Sequence, residues 1–339
     1  MHVDSNLPRV HLFSLGGTIA SINDGSSVRR GAVPKLTGEQ LVAVVPRLGG
    51  TAQIESTSFR QCASGDLTIE DMVELAHAID DILHQGAADV VVTQGTDTLE
   101  ETSFALSLLV TSSRAVVVTG AMRNPTLPGA DGPANLWAAV EAAVRLPATG
   151  LGCVVVFNDE IHDPRFIRKT HTSSVATFRS AVAGPIGWIS EGTPRLVRIG
   201  PVQERVKIPA GSAIPKVALL TAALGEDAQI LDVLPALGYA GLVFEAFGGG
   251  HSPSRIVGAL ERLARSMPVV LASRTGSGEI LTHTYDHPGS EQDLLSRGLI
   301  SAGILDGPKA RVLLSLLLAG HTETSTLAAT FKRISLPHN

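Results

Sequence analysis

The residue whose setting most suggests chemistry is Thr18. It follows Gly16 and Gly17, directly after the apolar run Val10 to Leu15. Paired glycines allow a tight turn and a close approach of one backbone to another. A hydroxyl just past such a turn can serve as a nucleophile. It then needs a proton acceptor, an oxyanion site and a proton donor for the leaving group. On this segment alone, a turn or a helix cap is the better account of Gly-Gly-Thr. A phosphate-binding loop is excluded, because no Gly-Lys-Ser/Thr follows.

Three other segments hold residues that could complete such a site. Thr93-Gln94-Gly95-Thr96-Asp97-Thr98 leads into Leu99-Glu100-Glu101-Thr102. Thr98 and Glu101 have capping-box spacing, which predicts a helix starting there. Backbone N–H groups at a helix N-terminus can hold a carboxylate or a developing oxyanion. Thr98 and Glu101 suffice to cap, so Thr96 and Asp97 are left for either structure or function. Ser64-Gly65-Asp66 precedes the helical pattern from Ile69. It reads equally as a helix entry or as a hydroxyl and turn N–H groups for a substrate carboxylate. Lys169, after Arg165 and Arg168, is either a solvated cation or a base whose proton affinity is lowered by its surroundings.

These residues must be positioned by the elements around them. Val10 to Leu15, Val90 to Thr93, Val116 to Thr119 and Val154 to Asn158 are nearly all apolar, as in strands buried on both faces. Helical patterns lie between them: Ile69 to Leu83 ending at Gly86, and about Pro133 to Val144 capped near Asp131 or Gly132. Alternation of this kind predicts an α/β chain whose N-terminal domain is a mostly parallel, doubly wound sheet. Ligands bind such sheets past the carboxyl ends of the strands, and all four segments fall past strands or at helix starts. From Glu191 to Pro215 the chain is rich in Gly and Pro, which predicts a linker. The expected domains are 1–190, a linker at 191–214, and a smaller α/β domain at 215–339. In the last, Val217 to Leu220, Leu242 to Phe247 and Val269 to Ala272 read as strands. Asp227 to Leu237, Ser254 to Ala264 and Pro308 to Leu318 read as helices.

Bulk properties narrow the function. The 339 residues are 44% hydrophobic and 17% charged, enough for a sizeable core without long disordered tracts. With 27 Lys+Arg against 32 Asp+Glu and no basic run, neither nucleic acid nor a membrane surface is indicated as a partner. Two cysteines, Cys62 and Cys153, make no disulfide framework, though a single bridge stays open, and no Cys/His spacing suggests zinc. Residues Met1 to Arg9 lack a secretory pattern and no apolar run is long enough to span a bilayer. A cytoplasmic location is the expectation.

Taken together, the segments resemble the bacterial-type L-asparaginase family. The resemblance rests on Gly16-Gly17-Thr18-Ile19-Ala20, on Gly95 to Thr102, on Gly120-Ala121-Met122-Arg123 and on Ala130 to Leu136. It continues through Asn158-Asp159, Lys169-Thr170 and Pro308-Lys309-Ala310-Arg311. These come in the family's order and span nearly the whole chain. The resemblance implies hydrolysis of L-asparagine to L-aspartate and ammonia, with side activity on L-glutamine or D-asparagine. It implies no metal and no organic cofactor, and self-association as a dimer or tetramer with the site near the subunit interface. It assigns Thr18 as the nucleophile that forms an acyl-enzyme, and Thr96, Lys169 and Asp97 as the second catalytic group. It makes Ser64 and Asp97 ligands of the substrate's α-carboxylate and α-amino groups, with Gly17, Gly65, Asp66, Gly95, Thr96 and Ala121 also lining the substrate.

Two departures stand out. Family members carry a Tyr in the mobile loop after the nucleophile, but Ser21 to Pro34 has none, and the chain's only tyrosines are Tyr239 and Tyr285. Tyr239 reads as structural. Tyr285 lies in Thr282-His283-Thr284-Tyr285-Asp286, a segment whose family counterparts contribute an acidic residue to the neighbouring subunit's site. Tyr285 therefore either supplies the missing phenol across an interface or packs locally. Gly65 stands where some members with glutaminase activity carry Gln, and Gly248-Gly249-Gly250-His251 lacks the Asn that some members use. Two other functions fit the same fold: the ammonia-producing subunit of a tRNA-dependent amidotransferase, and an inactive small-molecule binding module. The first usually carries a further N-terminal domain. The second has no need of two Thr hydroxyls and a Lys.

Overall fold

The apolar runs pair side by side because each carries β-branched residues that fit a sheet buried on both faces. The computed structural model describes residues 7–22, 31–86, 88–146, 151–197 and 204–335. The chain divides into two units, Met1–Arg205 and Val206–Asn339.

The first unit is built on eight strands: β1 (Arg9–Gly16), β2 (Gln53–Cys62), β3 (Asp89–Thr93), β4 (Val116–Thr119), β5 (Cys153–Phe157), β6 (Glu160–His162), β7 (Gly187–Ser190) and β8 (Thr193–Leu196). Their order is β8-β7-β6-β5-β4-β3-β1-β2. From β2 to β5 all neighbours are parallel, and the last three strands are antiparallel. Val90 to Val92 and Val116 to Val118 are fully buried, each side chain worth about 1.5–3 kcal/mol of burial. Helices α1 (Gly38–Ala43) and α4 (Gly132–Arg145) share a core with Val10, Leu12, Val91, Val117 and Val154. Helices α2 (Ile69–His84) and α3 (Leu99–Leu109) pack on each other and cover the opposite face.

Strand β1 sits between β2 and β3, so successive crossovers leave it in opposite directions. In open α/β sheets this reversal opens a crevice at the carboxyl ends of the strands. The crevice here lies between the turns that follow β1 and β3.

The second unit has four parallel strands in chain order: β9 (Val217–Thr221), β10 (Gly241–Ala246), β11 (Val269–Ser273) and β12 (Ile300–Ser301). Helices α5 (Gln229–Val233) and α6 (Val257–Ser266) share one core with Leu242, Phe244 and Leu271. Helix α7 (Glu291–Ser296) contributes Leu294 to that core. Helix α8 (Gly307–Ala319) packs on β9, β10 and β11, and α9 (Thr324–Ser335) on β12. At the start of α8, Asp306 accepts a hydrogen bond from the Lys309 backbone at 3.0 Å and pairs with the buried Lys309 ammonium at 2.8 Å.

Three local expectations differ from the structure. The Gly- and Pro-rich stretch is not all linker: Thr193–Leu196 pairs with Gly187–Ser190 as an edge strand of the large sheet. The helix expected over Asp227 to Leu237 is broken into Gln229–Val233 and a separate turn at Pro235–Leu237, since Pro235 cannot continue the ladder of N–H bonds. Finally, Thr98 occupies the N-cap of α3 without any side-chain capping bond. Its hydroxyl donates instead to the Ser64 carbonyl, 2.9 Å away, tying two loops together. Cys62 and Cys153 are both free, Cys153 buried as a core thiol.

A short hairpin, Ile167–Lys169 paired with Phe178–Ser180, is anchored to the large sheet through β6. His162 is buried, with Nδ1 3.0 Å from Ser180 Oγ. Its Nε2, 3.4 Å from the Glu160 carboxylate, makes no hydrogen bond among the described residues. Burial, aided by nearby Arg179, holds the imidazole pKa down to about 4 from 6.5. In the folded chain His162 is therefore neutral where the unfolded chain is already protonated. The unfolded state binds the extra proton between about pH 6.5 and 4, so stability falls as pH is lowered through that window. Replacing His162→Gln should remove up to about 3 kcal/mol of this loss. Urea unfolding at pH 7 and pH 4.5 checks it; parallel losses in both proteins would assign the acid sensitivity elsewhere.

Candidate active site

Gly17 sets the geometry of the site. Its backbone lies at φ 77°, ψ −168°, a region open essentially to glycine alone. A Cβ placed there would meet the Gly95 Cα and N at 2.1 Å. The turn after β1 thus crosses the turn after β3 at backbone contact, and Thr18 and Thr96 each lie one residue past the crossing. The Gly17 N–H donates to the Cys62 carbonyl at 3.0 Å, which brings the end of β2 into the same place. A Cβ on Gly95 would lie 2.8 Å from Ser64 Oγ, so Ser64 closes the third side.

Thr18 begins a short 3-10 turn, Thr18–Ala20, and is half-buried. Its hydroxyl has no hydrogen-bond partner among the described residues. Ser21 Oγ donates to the Gly17 carbonyl at 2.8 Å and fixes the turn. Residues 23–30 of the tyrosine-free loop lie outside the described residues.

Thr96 is buried and Asp97 is exposed, both just before the first turn of α3. Lys169 reaches them from the hairpin. Its ammonium donates to Thr96 Oγ1 at 2.8 Å and to Asp97 Oδ1 at 2.6 Å. Its backbone N–H donates to the carboxylate of Glu100, 2.5 Å away. Glu100 is in the first turn of α3, so both ends of Lys169 are tied to the start of the same helix. The Asp97 N–H donates to Ser64 Oγ at 3.2 Å. Ser64 accepts through its oxygen and keeps its own proton to donate to a ligand. Gly65 and Asp66 are exposed beside it.

The turn after β4 closes the remaining side. Ala121 is fully buried. A Cβ on Gly120 would meet the Gln94 carbonyl at 2.6 Å, and one on Gly132 would touch Ile19 and Ala121. Asp131 accepts from the N–H groups of Met122 at 3.0 Å and Arg123 at 2.8 Å. One turn on, Asn135 donates to the Gly120 carbonyl at 3.0 Å and accepts from the Asn158 N–H at 3.0 Å. Asn158 and Asp159 both have positive φ, 51° and 61°, as a two-residue hairpin turn of type I′ requires. Asp131, Asn135 and Glu100 are holding residues that motif spacing alone did not pick out. Gln94 is fully buried, and neither of its amide atoms has a partner among the described residues.

The structure thus brings Gly17, Thr18, Ser64, Gly65, Asp66, Gly95, Thr96, Asp97, Ala121 and Lys169 to one edge of the large sheet. Tyr285 belongs to the second unit. Its ring packs edge-on against His251, with centroids 4.9 Å apart, and its N–H donates to the buried Glu291 carboxylate at 2.7 Å. Among the described residues, no three His, Cys, Asp or Glu side chains gather closely enough to hold a metal ion.

A hydroxyl at a sheet switch point, with a Lys-bridged Thr/Asp pair one turn away, is the arrangement expected of the family that the motifs resemble. The family models agree. Residues 9–199 match the N-terminal asparaginase domain, and 216–331 match the glutaminase/asparaginase C-terminal domain. The chain belongs to the asparaginase family. It is 31% identical to a probable periplasmic L-asparaginase of Haemophilus influenzae over 97% of this chain and 93% of that protein. It is 32% identical to L-asparaginase 2 of Escherichia coli over 96% and 93%. The crystal structure of a probable cytoplasmic L-asparaginase from Campylobacter jejuni superposes with a TM-score of 0.88 at 29% identity, covering 96% of this chain and 99% of that one. No helix among the described residues is long and apolar enough to cross a membrane.

The glycine crossing gives a direct test of this asparaginase-family site. Gly17→Ala should destabilise the first unit by more than about 3 kcal/mol, combining a strained backbone with a clash. Gly65→Ala, whose Cβ would meet nothing within 4 Å, should change stability by less than about 0.5 kcal/mol. Thermal or urea unfolding of the two variants distinguishes a specific crossing from general glycine loss. Equal effects would contradict it.

Proposed function

We propose that the chain is an L-asparaginase, hydrolysing L-asparagine to L-aspartate and ammonia through an ester on Thr18. The observation that carries this is the contact of Lys169 Nζ with Thr96 Oγ1 and Asp97 Oδ1, one residue beyond the crossing that places Thr18. An amide carbon is a poor electrophile, so attack needs all three supports: proton removal, oxyanion binding and leaving-group protonation.

In this reading Thr18 Oγ attacks the side-chain amide carbon and its proton passes to the departing nitrogen, which leaves as ammonia. The Thr96 backbone N–H, at the start of α3, supports the oxyanion. Water, activated through Thr96 and Lys169, then attacks the ester carbon and releases aspartate. Ser64 donates its hydroxyl proton to the α-carboxylate, and Asp97 accepts from the α-ammonium. Gly17, Gly65, Asp66, Gly95 and Ala121 line the substrate. Side activity on L-glutamine or D-asparagine, which the family resemblance implies, is part of the proposal. A cytoplasmic location and a dimer or tetramer complete the proposal.

Measuring ammonia release from L-asparagine, L-glutamine and D-asparagine tests the assignment. Turnover should be largest on L-asparagine. Thr18→Ala should abolish it, and Lys169→Met should lower kcat by about 10²–10⁴-fold with a smaller change in KM. Unchanged turnover in Thr18→Ala would sink the mechanism.

The first unit contains no tyrosine. We assign the phenol role to Tyr285 of a neighbouring copy, where it would pass a proton to or from Thr18. Tyr285→Phe should reduce kcat by about 10²-fold, while Tyr239→Phe should leave it unchanged. Full turnover in Tyr285→Phe would leave Tyr285 a locally packed aromatic.

A further inference from the structure

Tyr285 is 46% exposed, and its hydroxyl has no hydrogen-bond partner among the described residues. A surface ring of this kind ordinarily moves with its loop. Here the segment beneath it is held by a buried charge. Glu291, the first residue of α7, is 0% exposed. Its Oε1 accepts the N–H groups of both Thr284, at 2.9 Å, and Tyr285, at 2.7 Å. Its Oε2 lies 3.2 Å from His251 Nε2, and the His251 ring meets the Tyr285 ring edge-on. One carboxylate thus fixes both the backbone that aims the phenol and the imidazole that the ring leans on.

The surroundings are shaped to this buried charge. A carboxylate out of water is disfavoured unless donors replace its hydration. Burial alone would raise the Glu291 carboxyl. The N–H groups of Tyr285, Glu291 and Thr284 and the His251 imidazole outweigh that and hold it below the usual carboxylate range. Gly250, at φ 119°, brings the turn after β10 against it: a Cβ there would lie 3.3 Å from the Glu291 Cβ. Gly289, at φ 88°, has no room for a Cβ beside the Ser252 carbonyl, and its own carbonyl accepts the Ser252 N–H at 2.8 Å. Ser290 Oγ accepts the His287 N–H at 3.2 Å, and Asp293 Oδ2 accepts the Gly289 N–H at 2.8 Å. The loop from Thr284 to Ser290 is therefore tied down on both sides of the Tyr285 ring. A tyrosine packed for stability buries its ring and pairs its hydroxyl. This loop buries the carboxylate and presents the phenol unpaired.

We propose that Glu291, acting with His251, is a positioning residue for turnover: it fixes the direction in which Tyr285 presents its phenol. The proposal rests on the assignment of that phenol to Thr18 of a neighbouring copy. Without the carboxylate, Thr284 and Tyr285 lose their shared acceptor, the ring loses its backing, and the phenol samples many directions. Proton transfer requires donor and acceptor within hydrogen-bond reach. The loss therefore falls on kcat and spares substrate affinity, which the proposed mechanism draws from Ser64 and Asp97.

Ammonia release in a double-mutant cycle tests the proposal. Glu291→Ala should lower kcat by about tenfold or more, with KM within about twofold. Glu291→Gln keeps a carbonyl for the two N–H groups and should recover most of the loss. Adding Glu291→Ala to Tyr285→Phe should cost almost nothing further, because no phenol is left to aim. His251→Ala leaves the two backbone bonds in place and should give a smaller kcat loss that also vanishes in Tyr285→Phe. It decides the matter if circular dichroism shows that Glu291→Ala does not fold. A second readout is the ring resonance of 13C-labelled tyrosine in Tyr239→Phe, where Tyr285 is the only tyrosine left. Glu291→Ala should move it toward that of free tyrosine, and Glu291→Gln should leave it in place. Normal kcat in Glu291→Ala and His251→Ala, with Tyr285→Phe impaired, would overturn the proposal and keep the phenol assignment. Losses that multiply in the double variants, or a resonance that does not move, would overturn it as well. Full turnover in Tyr285→Phe would instead overturn the phenol assignment, and this proposal with it.

Discussion

Two backbones cross at Gly17 and Gly95 with no room for a Cβ on either. That contact determines where nearly everything else in the site can be. It is possible only because β1 lies between β2 and β3, so the turns after β1 and β3 face one crevice. The Gly17 N–H bond to Cys62 and the Ser64 hydroxyl packed against Gly95 then fix the end of β2 to the same crossing. Three chain segments far apart in sequence are thus held in direct contact, two of them through glycine backbones and the third through a carbonyl and the Ser64 hydroxyl. Thr18 and Thr96 follow directly, so the separation of their backbones is set by this crossing.

Lys169 shows a different solution to the same problem. It comes from a hairpin distant in sequence and is clamped at both ends. Its backbone is bound to Glu100, and its ammonium to Thr96 and Asp97. A long flexible side chain that would otherwise lose rotamer entropy on every turnover is ordered before substrate arrives. Burial of Glu100 at the first turn of α3 is tolerable because a carboxylate there faces the positive end of the helix and accepts a backbone N–H. The acidic start of α3 is thus divided between two tasks, Glu100 holding the hairpin and Asp97 holding the ammonium.

Much of this was legible in the residues. Strands β1, β3, β4 and β5 are largely buried on both faces, and their nearly all-apolar runs mark them clearly. Strand β2, Gln53–Cys62, is an edge strand with Glu55, Ser56, Thr57 and Arg60 among its residues; it has no apolar run to find, and β6 to β8 are too short to show a period. Thr98 and Glu101 have capping-box spacing, yet the Thr98 hydroxyl bonds Ser64, because the loop after β2 offers a carbonyl that the helix-only pattern cannot foresee. Lys169 had no local signal of its own. Asp131 and Asn135, four apart on α4, are written in the motif, but their work on Gly120, Met122 and Asn158 is visible only once the strands are placed.

The partnerless Thr18 hydroxyl follows from the same economy of backbone placement. The crossing positions Thr18, the proposed nucleophile, but gives its hydroxyl no acceptor among the described residues, and Lys169 is already bonded to Thr96 and Asp97. In the proposed mechanism its activation depends on the substrate's own groups and on a phenol that the first unit does not contain. There the first unit carries the hydroxyl that forms the bond, and the second unit holds both of the chain's tyrosines. Position and activation are separate in that mechanism, so the proposed catalysis depends on a second copy supplying Tyr285.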